Sequence, residues 1–118
     1  MKPYNVFQLT DNVYWVGARD WSRRIFDALI PLPYGTTYNA YLVQGEDKTA
    51  LIDTVNPGFE KELEGKIREI ADASNIDYVV MNHAEPDHAG AIPHMLSLSK
   101  KAELVTSEKG AQMAKVYY

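Results

Sequence analysis

The chain contains no cysteine. That excludes disulfides, thiolate zinc sites, iron–sulfur ligation and a cysteine nucleophile, and leaves only nitrogen and oxygen ligands for any metal. Long apolar runs are also missing. Nothing approaches the ~18 residues of a spanning helix, and Met1-Lys2-Pro3-Tyr4 lacks the apolar core of a secretory signal, so no membrane association and a cytoplasmic address are expected. Nor is there an excess of positive charge: 12 Lys plus Arg against 16 Asp plus Glu leave a formal charge of −4, which argues against nucleic-acid binding. No repeat or low-complexity segment is evident. What is present is a chain of 118 residues, 46% apolar and 24% charged, enough for one domain at most.

Residues 4–9 and 12–17 carry apolar side chains at strand spacing around the turn cluster Thr10-Asp11-Asn12, which predicts a hairpin. From Gly17 to Gly35 the pattern breaks, and the prolines and glycine at its end predict a long loop. Thr36 to Gln44 and Lys48 to Asp53 read as two strands joined by Gly45-Glu46-Asp47. Asn56 as cap and Pro57 at the first position predict a helix with Phe59, Leu63, Ile67 and Ile70 on its core face. Its other face pairs Glu62 with Lys66 and Glu64 with Arg68 at i, i+4, and reads as solvated. Ile76 to Met81 reads as a strand buried on both faces after a helical crossover, so the class is α/β. A helix over 91–100, a strand over 103–106 and a helix capped by Ser107 follow. That last helix meets no closing residue before Tyr117-Tyr118, and the expectation is that residues 1–118 are part of a larger domain.

One heptapeptide stands apart: Asn82-His83-Ala84-Glu85-Pro86-Asp87-His88, followed by Ala89-Gly90. Four ligand-type residues fall at the carboxyl end of the buried strand, where open α/β sheets place their sites. Pro86 forces Glu85 to be extended, so His83 and Glu85 project to one side. A turn at Pro86 then directs Asp87 and His88 to a second point, and one loop can feed two metal ions a few ångströms apart. Singly, Asp87 also reads as a helix cap and Glu85 as a solvated residue; the clustering of His83, Glu85, Asp87 and His88 favours metal. Imidazole mixed with carboxylate suits zinc, iron or manganese, and the carboxylate share tilts the balance toward iron or manganese. Four ligands do not complete two coordination spheres, and His94, the remaining histidine, reads as a surface residue. Asp53, at the end of Leu51-Ile52-Asp53, reads equally as a partner orienting a ligand and as a turn or helix-entry residue. Trp21, Arg23, Arg24 and Tyr34 read as exposed packing.

His83-x-Glu85-x-Asp87-His88 with Ala89-Gly90, the stretch Gly35-Thr36-Thr37-Tyr38-Asn39-Ala40-Tyr41-Leu42-Val43 and the stretch Leu51-Ile52-Asp53-Thr54-Val55 resemble the flavodiiron proteins, or A-type flavoproteins, across essentially the whole chain. Val16-Gly17-Ala18-Arg19-Asp20-Trp21 likewise resembles the amino-terminal segment of the flavorubredoxins, the nitric-oxide-reducing members. The resemblance implies the amino-terminal half of a metallo-β-lactamase-like αβ/βα sandwich, whose hydrolase relatives have His where this family has Glu at the second ligand. It implies that His83 and Glu85 bind one iron and that Asp87 and His88 bind the other, the last His being a non-ligand in some members. Two further histidines and a bridging aspartate come from later in the family's domain. FMN is carried by a flavodoxin-like domain beyond it, in a head-to-tail homodimer. The implied chemistry is reduction of dioxygen to water or of nitric oxide to nitrous oxide, fed by rubredoxin, a fused rubredoxin module or a reduced deazaflavin. The 118 residues alone are then expected to be inactive. The alternatives are a zinc-dependent hydrolase of the same fold and a non-catalytic fragment that self-associates through an open sheet face.

Overall fold

Short apolar strands build the framework, and the computed structural model describes residues 6–22, 25–26 and 30–118 of it. Strand β1 (Phe7–Thr10) turns at Asp11-Asn12 into β2 (Val13–Trp15), antiparallel as expected, with a bulge between Gln8 and Thr10. Tyr4 and Asn5 of the expected first strand lie outside the described residues. The segment expected as a long loop contains three strands, β3 (Ala18–Asp20), β4 (Ile25–Phe26) and β5 (Ile30–Pro31). The pair β4–β5 is a two-stranded ribbon, and Pro31 is tolerated there because an edge strand has no second partner needing its missing N–H.

The single strand expected over 36–44 is two, β6 (Thr36–Tyr38) and β7 (Tyr41–Gln44). β6 pairs antiparallel with β3, while β7 joins the main sheet between β2 and β8 (Thr49–Ile52). The break at Asn39-Ala40 is held from outside the strand: Val16 N donates to Ala40 O at 2.9 Å, and the Trp15 indole donates to Asn39 Oδ1 at 3.0 Å. Gly17 is required at this corner, because a Cβ there would collide with the Tyr38 carbonyl.

Helix α1 (Glu60–Arg68), strand β9 (Tyr78–Val80), helices α2 (Pro86–Ala89) and α3 (Ile92–Leu98), strand β10 (Glu103–Val105) and helix α4 (Glu108–Tyr117) complete the order. The six-stranded sheet runs β1-β2-β7-β8-β9-β10, antiparallel from β1 to β8 and parallel from β8 to β10. Parallel neighbours need crossovers, which α1 and α3 supply while packing on each other. Leu42, Leu51 and Val79 align in register on one sheet face and are fully buried with Leu63, Ile67, Ile92 and Met95. Each such side chain contributes about 1.5–3 kcal/mol. The opposite row, Tyr41, Ile52 and Val80, is half-buried and ends at exposed Val105, in a slab of 42 × 40 × 22 Å. Among the described residues, no helix is long and apolar enough to cross a membrane.

Two readings of α1 change. The helix starts at Glu60, not at Asn56-Pro57: Phe59 N donates to Asn56 O in a turn, Gly58 takes φ +102°, and Phe59 occupies the cap position without a side-chain cap bond. Its expected i, i+4 pairs form, at 2.9 Å for Lys66–Glu62 and 2.8 Å for Arg68–Glu64, yet Lys66 is buried instead of solvated. The lysine stem crosses the core edge, so that its ammonium lies 4.5 Å from the Trp15 ring centroid and donates to the Gly17 carbonyl. The Ser107 cap of α4 is as expected, accepting from Gly110 N at 3.0 Å.

Candidate metal centre

The loop Asn82 to Gly90 leaves the carboxyl end of β9, the strand flanked by parallel neighbours on both sides. Glu85 is extended (φ −67°, ψ 152°), as a residue before proline must be, and Pro86 opens α2 at a position where its missing N–H has no partner to lose. The expected plain turn is therefore a short helix, and Asp87 and His88 sit in it. Neither helix start uses Asp87 as cap: Glu85 precedes α2 and Ala91 precedes α3.

The four expected donors are brought together as two pairs. His83 Nε2 lies 3.7 Å from Glu85 Oε1, and His88 Nε2 lies 3.6 Å from Asp87 Oδ2. The two imidazole centroids are 5.0 Å apart. His83 and Glu85 are about half exposed, with side-chain exposures of 52% and 47%, whereas Asp87 at 16% is largely enclosed. Among the described residues, no three His, Cys, Asp or Glu side chains gather about one point. Two donors per position leave most of a coordination sphere of four to six open.

Asp53 is buried at the end of β8 with φ +60°, a left-handed conformation that Asp tolerates better than most residues. Its carboxylate accepts from Asn82 N at 2.8 Å, lies 3.2 Å from His88 Nδ1 and is 3.4 Å from the Asn82 amide nitrogen. A carboxylate only accepts, so a hydrogen bond to Asp53 calls for a proton on His88 Nδ1, and in that tautomer Nε2 offers its lone pair to a metal. Both sequence readings of Asp53 stay open in this geometry: it stands at a turn of the chain with φ +60°, and it lies within hydrogen-bond reach of a candidate ligand.

Two anchoring residues escaped sequence reasoning. Thr54 is fully buried; its N–H and its hydroxyl each donate to His88 O at 2.7 Å, and the hydroxyl accepts from Ala91 N at 3.2 Å. A polar residue inside the apolar run Leu51-Ile52-Asp53-Thr54-Val55 was the available signal. Tyr118 donates to Ala84 O at 2.8 Å from 34 residues away, and no local pattern announces it. Burial first, and the Asp87 charge second, push the Tyr118 hydroxyl above the ordinary phenol range, so it stays a donor at neutral pH.

His94 is half-buried rather than on the open surface, with Nε2 2.8 Å from Glu64 Oε1, and it stands apart from the donor loop. Glu64 also accepts from Arg68, and these partners, Arg68 foremost, hold its carboxyl below the usual range. Trp21 and Tyr34 are exposed as expected; Arg23 and Arg24 lie outside the described residues.

Residues 36–118 match the family described as ODP family beta lactamase. The chain belongs to that family. It is 44% identical over 111 residues to a nitric oxide reductase of Moorella thermoacetica, covering 93% of this chain and 28% of that protein. Among solved structures, the rubredoxin oxygen:oxidoreductase of Desulfovibrio gigas matches with a TM-score of 0.90 and 38% identity, over 96% of this chain and 28% of that one. The flavodiiron protein of Giardia intestinalis matches with a TM-score of 0.91 and 33% identity, over 100% of this chain and 28% of that one. The chain thus spans little more than a quarter of the length of these relatives. The flavodiiron resemblance and the metallo-β-lactamase-like α/β fold are both borne out.

Proposed function

We propose that these residues form the amino-terminal half of a diiron domain in a flavodiiron oxidoreductase that reduces dioxygen to water, nitric oxide to nitrous oxide, or both. His83 and Glu85 would hold one iron, and Asp87 and His88 the other. The observation that carries this reading is the division of the loop into two imidazole–carboxylate pairs, with His88 oriented by the buried Asp53. The donor types fit iron, and the open positions call for further ligands outside these four. When bound, a ferrous pair supplies electrons to a small diatomic oxidant. The chain's own residues do the positioning. Asp53 fixes the His88 ring, Thr54 fixes its backbone, and the half-exposed His83 and Glu85 leave that side accessible.

The similarity to longer flavodiiron relatives supports an FMN-carrying flavodoxin-like domain elsewhere in the complete gene product. The name of the Desulfovibrio gigas relative supports rubredoxin or another reductant as electron donor, and with it we propose a head-to-tail homodimer at a cytoplasmic location. The test is anaerobic ferrous loading of the complete gene product. Iron uptake that is lost in His83→Ala and Glu85→Ala, with iron-dependent consumption of dioxygen or nitric oxide, is expected. Tight zinc uptake with turnover of an ester or lactam, and no gas consumption, would replace this reading by the hydrolase one.

A further inference from the structure

We propose that Tyr118 is a positioning residue for the donor loop, acting through the Ala84 carbonyl; this rests on the metal reading above. Ala84 is the residue between His83 and Glu85, and its orientation sets the direction in which both side chains leave the backbone. The Tyr118 hydroxyl donates to Ala84 O at 2.8 Å. The Tyr118 backbone is itself fixed, its N–H donating to Ala114 O at 2.9 Å in the last turn of α4. Its ring lines the apolar groove between α3, β10 and α4, beside Ile92, Leu96 and Ala114. The partly exposed Tyr118 ring, at the rim of that groove, therefore reaches across to the most exposed part of the loop.

The second half of the loop already has anchors. His88 is held by Asp53 and by Thr54, and Gly90 N closes α2 on Pro86 O at 2.8 Å. The first half has Asp53 at Asn82 N, and then, among the described residues, no side chain from outside the loop anchors the backbone of residues 83–85 except Tyr118. Glu85 N reaches only His83 Nδ1, at 3.5 Å, inside the same half. Tyr118 thus completes for the His83–Glu85 pair what Asp53 and Thr54 do for the Asp87–His88 pair.

The experiment compares Tyr118→Phe with the parent in the complete gene product, with His83→Ala as control and cobalt(II) as the probe metal. Two readouts are taken. In metal-free protein labelled at alanine carbonyls, Tyr118→Phe should shift the Ala84 carbonyl resonance while thermal unfolding changes little. In titrations, cobalt affinity should fall about 5- to 10-fold, with an altered visible absorption band, on the usual scale for removing one hydrogen bond that supports a ligand. A shifted Ala84 resonance with unchanged affinity and spectrum would overturn the proposal, leaving Tyr118 a structural contact only. An unshifted resonance would overturn it at its first step. A parent that binds no cobalt, or a His83→Ala variant that binds as tightly, would overturn the metal reading and the positioning role with it. The carbonyl shift would still separate that failure from loss of the Tyr118 contact.

Discussion

Replacing Asp53 by Asn tests whether a buried carboxylate sets the protonation of His88. Asn tolerates the φ of +60° at least as well as Asp, and its side-chain oxygen can keep the 2.8 Å bond from Asn82 N. That requirement places the amide NH2 toward His88 Nδ1, at the position now 3.2 Å away. Nδ1 must then accept, the ring proton goes to Nε2, and Nε2 no longer offers a lone pair to a metal. Asp53→Asn should therefore cost only about 1 kcal/mol of stability, the difference between a charge-assisted and a neutral hydrogen bond. Metal affinity should fall about 10- to 100-fold, as for other partners of ligating histidines. Asp53→Ala should cost about 3 kcal/mol, since it strands two donors and puts a Cβ without a polar group in the left-handed region. Urea unfolding gives the stabilities, nitrogen-15 spectra of the imidazoles give the tautomer, and anaerobic titration gives the affinity. A His88 ring that keeps its proton on Nδ1 in Asp53→Asn would refute the electrostatic argument. Unchanged affinity with an inverted tautomer would remove His88 Nε2 from the coordination set.

Three further outcomes are expected. A Cβ at position 90 would fall on the Pro57 ring and within 2.6 Å of Pro86 O, so Gly90→Ala should cost about 1–3 kcal/mol and weaken metal uptake by displacing α2, measured by urea unfolding and titration. The depressed Glu64 carboxyl contributes stability that is full above its ordinary value near 4.5 and is lost as pH falls through the lower folded value. Glu64→Gln should accordingly flatten the acid limb of a stability–pH curve, and an unaltered limb would show that the Arg68 and His94 contacts carry no net stabilisation. The half-buried row Tyr41, Ile52 and Val80, flanked by exposed Phe7 and Val105, should make the isolated 118-residue chain associate with rising concentration in sedimentation, and a monodisperse monomer would contradict that.

The parts of the fold legible in the sequence are those in which neighbours along the chain decide the outcome. The turn at Asp11-Asn12, the hairpin through Gly45, the parallel strand β9 and the Ser107 cap each depend on a few adjacent residues, and each forms where expected. Strand β9 is, however, fully buried only at Val79 and not on both faces, because among the described residues no second layer covers the Tyr78 and Val80 side. The donor loop belongs to this group too: His83, Glu85, Asp87 and His88 are consecutive enough that extension before Pro86 and a turn after it suffice to divide them into pairs. What was misread depends on distant partners. Gly17–Gly35 shows no strand pattern of its own, because β3 is defined by pairing with β6 and needs only one ordered neighbour. The break at Asn39-Ala40 is imposed by Trp15 and Val16 from another strand, and Lys66 is drawn inward by the Gly17 carbonyl and the Trp15 ring.

By itself the sequence determined the class and the helical crossover into β9 and singled out four candidate ligands, because periodicity and ligand chemistry are local properties. Only the tertiary structure decided that Asp53 meets His88 across 35 residues, that Thr54 pins the His88 backbone, and that Tyr118 reaches Ala84. It also decided that His94 is engaged by Glu64 across two helices. The physical reason is the same in each case. Which polar groups lie opposite one another is fixed by sheet register and helix packing, not by spacing along the chain, and for Asp53 and Thr54 burial makes the pairing obligatory.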